Sequence, residues 1–299
     1  MALLMCEILA FLEAWQRACG AVGETQTLNI PKWRKYKVKP VRFDGPCKSD
    51  NIVIQVDGSI ESPSTIGEWT GCESGSWLEF QNVKGLTIKG AGVIDGKGSI
   101  WWSHKPRITS YTTGTNCTAA PTALRWRYCD QLALSGFTSL NSPNKHILIH
   151  GSNGVDISSV HVNAPQHSPN TDGIVLSGST RVNIFDSVFK TGDDCIALKS
   201  GCSVVNITRV ACGPGHVGGT YSGNGEIKVS DITFRGFQGT SASDAAIRLE
   251  CSNLWCTNIV MDHVNISSMI PGKPTYSYCE NVKGRSRFTT PAVPCLEKQ

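Results

Sequence analysis

Short aliphatic segments recur along this chain at a nearly constant interval, and that recurrence restricts the available folds more than any other feature. HILIH at 146–150, GIVLS at 173–177 and CIALK at 195–199 align at steps of 27 and 22 residues. Each carries aliphatics two apart: Ile147 and Ile149, Ile174 and Leu176, Ile196 and Leu198. That is strand periodicity with one buried face. A second short strand follows each of them, at Val155/Ile157/Val160, Val182/Ile184/Val188 and Val205/Ile207/Val210. Related units stand at Leu86–Ile88, Ile232–Phe234, Ile247–Leu249 and Ile259–Met261. Several short strands per repeat describe a solenoid. No segment between the strands has helical length or spacing, which argues against leucine-rich repeats. The expected fold is all-β, a right-handed parallel β-helix running through residues 1–299 as one domain. A β-sandwich would not need the constant period.

Three stretches depart from the repeat. Residues 211–226 hold six glycines and are expected to contain no strand. Residues 98–122, with Trp101, Trp102, His104 and Tyr111, read as a long surface loop. The run Lys32–Lys39 alternates charge and apolar residues, as an edge strand protected by charge does.

The first residues carry Leu4, Ile8, Phe11, Leu12 and Trp15 at helical spacing. Glu7 and Glu13 interrupt the apolar run, and no Lys or Arg precedes Arg17. This predicts a short amphipathic helix, neither a secretory signal nor a membrane span. The 13 cysteines include no Cys-x-x-Cys pair, so a zinc cluster is not expected. Disulfides in a secreted protein fit better, with at least one thiol left without an intrachain partner. The acceptor triplets at Asn116, Asn206 and Asn265 agree. A formal charge of +4 is too mild for a dedicated nucleic-acid binder but suits an anionic substrate.

The repeat also serves as a ruler. Asp172 and Asp194 are 22 residues apart, at the same place in their repeats as Ile174 and Ile196. In a parallel ladder equivalent residues sit about 4.8 Å apart, so these acids should lie side by side. Asp193 adds a third carboxylate, and another step of 22 reaches His216. Stacked acids repel, which a site that handles a proton or a water can exploit, because one pKa rises. A solvated acidic face or a calcium site would give the same column. Glycoside hydrolysis needs two carboxyl groups across a cleft, about 5 Å apart for retention and about 6.5–9.5 Å for inversion. Adjacent strand residues point to opposite sides, so Asp193 and Asp194 share a direction only if the backbone turns, as Gly192 permits.

Other motifs fail on context. Gly213–Gly218 matches G-x-G-x-x-G, but no helix follows it. His146 and His150 are four apart in a strand, not on a helix, so they are not a zinc pair. His104, His161, His167 and His263 have no partner legible in the sequence. No metal or other cofactor is expected.

The blocks SPNTDGI (168–174), TGDDCIAL (191–198) and CGPGH (212–216) resemble the signatures of plant polygalacturonases, the family 28 glycoside hydrolases. The resemblance continues in AFLEAWQRAC (10–19), KPVRFDGPCKS (39–49), GVIDGKGSIWW (92–102) and RGFQGTSASDAAIRLECS (235–252), and so covers nearly the whole chain. It implies a secreted, monomeric cell-wall β-helix enzyme that hydrolyses α-1,4-galacturonan in pectin (homogalacturonan) with inversion. Nucleic acid and membrane are not implied partners. Asp193 resembles the general acid, and Asp172 and Asp194 the pair that activates water. His216 resembles the histidine that supports the acid, and Asn170 a substrate-binding residue. Cys195 with Cys212, and Cys251 with Cys256, resemble family disulfides. Pectate lyase shares the fold type but would need calcium and an arginine base; the Asn-Thr-Asp and Asp-Asp blocks favour hydrolysis.

The chain also departs from that pattern. Val217 follows His216 where the family has glycine, and the Arg-Ile-Lys block that grips the substrate carboxylate is missing. Glu226-Ile-Lys228 looks like a remnant of it. The chain resembles a copy truncated at its N-terminus and shortened internally by roughly three repeats, a loss that a solenoid tolerates. Weak activity or none is therefore expected, the alternative being an inactive β-helix that at most binds pectin.

Overall fold

A computed structural model describes residues 2–23, 25–70, 74–102, 117, 119–215, 219–221 and 229–298. Among the described residues the strands form three all-parallel sheets of 11, 9 and 9 strands, and apart from the last pairing of the largest sheet each joins every third strand of the chain. That is a coil with three strands per turn, a parallel β-helix, and parallel crossovers of this kind are right-handed.

The repeat spacing is the ladder register. Ile147 pairs with Ile174, and Ile174 with Ile196. In the same turns Val155 pairs with Val182, and Val182 with Val205. These inward aliphatics are fully buried and form one continuous core. Phe43 stacks on Phe80 at 4.8 Å, and Phe80 on Trp126 at 5.9 Å, so aromatics fill the first turns as aliphatics fill the later ones.

The expected N-terminal helix spans Ala2–Gly20. Its Trp15 is buried against Phe43 and Phe80 and donates its indole N–H to the carbonyl of Asp44. The helix thereby covers the open end of the coil. Among the described residues no helix is long and apolar enough to cross a membrane. Strand Lys35–Lys37 ends its sheet, as expected for the basic run, and pairs with Glu61 and Glu68.

Two expectations need correction. The glycine-rich stretch does contain a strand, Gly219–Tyr221, which pairs with Ile196–Lys199 on one side and Ala245–Glu250 on the other. Backbone hydrogen bonding needs no side chains, so a run of glycines hides a rung from any reading of apolar periodicity. Within 98–122, Ser99–Trp102 is a short helix and Trp101 is buried edge-on against Trp69; residues 103–116 lie outside the described residues.

Candidate active site

The acids sit just before two consecutive strands of one nine-stranded sheet, Ile174–Ser177 and Ile196–Lys199. The ladder continues through them. The His146 N–H donates to the Asp172 carbonyl, and the Gly173 N–H to that of Asp194, both at 2.8 Å. Asp172 and Asp194 therefore occupy neighbouring rungs, as the 22-residue step implies.

Buried hydroxyls fix the backbone around them. Ser168 Oγ and Thr171 Oγ1 lie 2.7 Å apart, and the Gly192 N–H donates to Thr171 Oγ1 at 3.0 Å. One rung on, Thr191 Oγ1 donates to the Asp193 carbonyl at 2.9 Å. The chain bends at Gly192 and Asp193. A side chain at position 192 would run into the backbone and hydroxyl of Ser168, so only glycine fits this bend. Asp193 then turns back, and its Oδ1 accepts the Asp194 N–H at 2.9 Å.

Asp172 and Asp194 are buried, while Asp193 is half-buried. Burial pushes the Asp172 carboxyl up to about 6; Lys145 opposes the rise, and the charges of Asp193 and Asp194 add to it. All three acids thus share one electrostatic neighbourhood. Lys145 Nζ lies 3.9 Å from Asp172 Oδ1 and donates to Asn144 Oδ1 at 3.0 Å. Lys145 escaped the sequence reading, although it precedes strand Ile147–His150 much as Asp172 precedes its own strand.

Asn170 is exposed two residues before Asp172, with a left-handed backbone. His216, together with Glu226 and Lys228, lies outside the described residues. His146 and His150 do not converge on one site. His146 is buried with Nδ1 2.9 Å from Ser139 Oγ, and burial pushes its imidazole down to about 3. His150 is half-buried and meets Tyr128. His263 has a partner after all, the adjacent Asp262 at 2.6 Å.

Four disulfides join described cysteines: Cys19–Cys47, Cys195–Cys212, Cys251–Cys256 and Cys279–Cys295. They include both pairs that the resemblance implies. Cys129 and Cys202 remain buried thiols, and burial pushes each up to about 11, so neither is a reactive nucleophile. The Cys195–Cys212 bond closes the loop that begins directly after Asp194, at a sequence separation of 17. Replacing both by serine should cost about 2–4 kcal/mol, read as an earlier urea midpoint under non-reducing conditions.

On the outer face of the same sheet, the ladder aligns Val175, Ala197, Gly219 and Arg248. Arg248 is ion-paired with Glu250 and lies over the Tyr278 ring. A guanidinium therefore stands two rungs beyond Asp194, but an acid engages it.

The model of the glycosyl hydrolases family 28 matches residues 19–222 and 217–292, two pieces that meet at the glycine-rich stretch. A probable polygalacturonase of Arabidopsis thaliana is 33% identical over 96% of this chain and 76% of its own length. A polygalacturonase of Persea americana is 35% identical over 85% of this chain, which spans 56% of that protein. Among solved structures, the endo-xylogalacturonan hydrolase of Aspergillus tubingensis shares the fold, with a TM-score of 0.66 and 20% identity over 97% of this chain and 84% of that one. With most of its length matched to the family model, the chain belongs to the family 28 glycosyl hydrolases.

Proposed function

We propose that this protein is a polygalacturonase-like glycosidase that hydrolyses the α-1,4-galacturonan of pectin as a secreted, monomeric cell-wall enzyme. The observation that carries the reading is the stacking of Asp172 on Asp194 with Asp193 bent into the same neighbourhood. Three carboxyl groups in one place supply both an acid and a base, as glycosidic cleavage requires. Asp193, the most accessible of the three, protonates the leaving glycosidic oxygen. Asp172 and Asp194 hold the water and draw off its proton as it attacks the anomeric carbon. The attack breaks the carbon–oxygen bond, and the proton from Asp193 completes the leaving hydroxyl. Lys145 offsets negative charge beside Asp172. Asn170, exposed at the mouth, contacts the sugar, and His216 supports the acid.

The disulfides and the exposed sequon residues Asn206 and Asn265 suit an oxidising, secretory route. The Arg248–Glu250 pair and the missing Arg-Ile-Lys block favour impaired turnover, because a guanidinium already held by an acid grips a substrate carboxylate weakly. The join in the family match at 217–222 supports internal shortening.

The test is incubation with polygalacturonate in calcium and, in parallel, in a calcium chelator. Slow release of reducing ends is expected, without the ultraviolet absorbance of unsaturated products. Unsaturated products that require calcium would mean a lyase. Turnover equal to a full-length homologue would reject the impairment.

A further inference from the structure

We propose that Arg125 and Arg127, backed by the buried Glu79, form a carboxylate-binding subsite that grips the galacturonan chain two rungs before Asp172. This rests on the galacturonan reading above.

The second half of strand Thr122–Arg127 alternates between buried and partly exposed residues. Leu124 and Trp126 are buried in the core, so Arg125 and Arg127 project from the outer face. Their strand pairs with Ile147–His150, which pairs with Ile174–Ser177, the strand that follows Asp172. Two rungs correspond to about 10 Å, the reach of a short run of sugar units. From Arg125 the outward ladder runs through Leu148, on the intervening rung, to Val175 and Ala197 on the strands that follow Asp172 and Asp194. Val175 and Ala197 are buried although they face outward, so side chains on either side rise above them and the face is recessed. On this proposal the arginines and the acids lie along one groove running across the strands.

The cluster retains unused donors. Arg125 Nη1 donates to the Ser74 carbonyl at 2.9 Å, which ties that guanidinium to the preceding rung. The Arg127 guanidinium comes no nearer to Glu79 than 3.7 Å and makes no hydrogen bond among the described residues. Glu79 is 1% exposed, and both its carboxylate oxygens are buried without a hydrogen-bond partner. One acid behind two guanidiniums leaves a net positive charge facing the groove. Its field extends to the next rung, where burial first, and then the charges of Arg127 and Arg125, hold the His150 imidazole below its ordinary range. An arginine with open donors in a recessed groove is matched to a carboxylate, which it can bind in a bidentate fork. Every sugar of galacturonan offers one.

The test compares tri- and hexagalacturonate binding by calorimetry, in an Asp193→Asn background that suppresses turnover. The hexamer should bind more tightly than the trimer, and Arg125→Gln with Arg127→Gln should erase that advantage, about tenfold per arginine. Because Arg127→Gln strips Glu79 of its counter-charge and can unsettle the fold, methyl-esterified hexamer is titrated against the unsubstituted arginines. Neutral carboxyls should also remove the length advantage. Equal hexamer affinity with and without the arginines, a fully esterified hexamer that binds as well as the acid, or no hexamer binding at all overturns the subsite. The hydrolysis reading is judged separately, by reducing-end release from the wild type: if that is absent while the arginine effect persists, the hydrolysis reading fails and the subsite stands.

Discussion

Asp193→Asn is expected to abolish most of whatever turnover the wild type shows on polygalacturonate, by about 10²–10⁴-fold, while leaving the thermal midpoint nearly unchanged. The amide is isosteric and can still accept the Asp194 N–H through its oxygen, so the bend at 192–193 survives. What it cannot do is give a proton to a leaving oxygen. Rates of reducing-end release and a melting curve on the same preparation separate the two effects. Equal release by wild type and variant would remove Asp193 from the mechanism. If neither protein releases sugar while both still bind hexagalacturonate, the chain is a pectin-binding β-helix.

The second large effect concerns stability. Asp172 keeps its proton in the folded protein up to about pH 6, whereas in the unfolded chain it loses it near the ordinary value of 3.8. Below that lower value both states are protonated and Asp172 contributes nothing to the pH dependence. As pH rises through the window, the unfolded chain releases its proton and the folded one does not, so stability falls. Above about pH 6 the full cost is present, about 3 kcal/mol from the size of the shift. Asp172→Asn should therefore stabilise the protein by about 2–3 kcal/mol at neutral pH, and by almost nothing below pH 4. Urea denaturation of both proteins across this range measures it, and a stabilisation independent of pH would contradict the assignment. On the proposed reading the site lowers stability for the sake of its chemistry, a trade seen at strained or charged active sites generally.

The sequence discloses the coil wherever aliphatics alternate, as at Ile147, Ile174 and Ile196, because burial on one face leaves a period of two that composition cannot hide. It discloses the stacked acids for the same reason, since they ride on those strands. The rung at Gly219–Tyr221 pairs through its backbone with both neighbouring strands, and its sequence shows no apolar alternation. Trp101 lies in a four-residue helix outside the strand period, so nothing local marks it as core. Lys145 stands on the rung before Asp172, but the identity of a side chain there is not fixed by any period. Glu79 and Arg125 are ladder partners although 46 residues separate them. The long segment between their strands breaks the ruler, so their proximity is visible only in three dimensions. Cys195–Cys212 and Cys251–Cys256 follow from the resemblance, whereas Cys19–Cys47 and Cys279–Cys295 are not foreseen in the sequence, because cysteine spacing alone leaves the pairing open.

The juxtaposition of Asp172 with Asp194 is what the site is built on, and carboxyl titration reads it directly. With the aspartate carboxyl carbons labelled for NMR, Asp172 should titrate near pH 6 in the wild type. In Asp194→Asn its midpoint should fall, because a neighbouring negative charge has gone while the burial remains. A midpoint that stays where it was would show that the two acids are not neighbours, and would contradict the register on which the site is built.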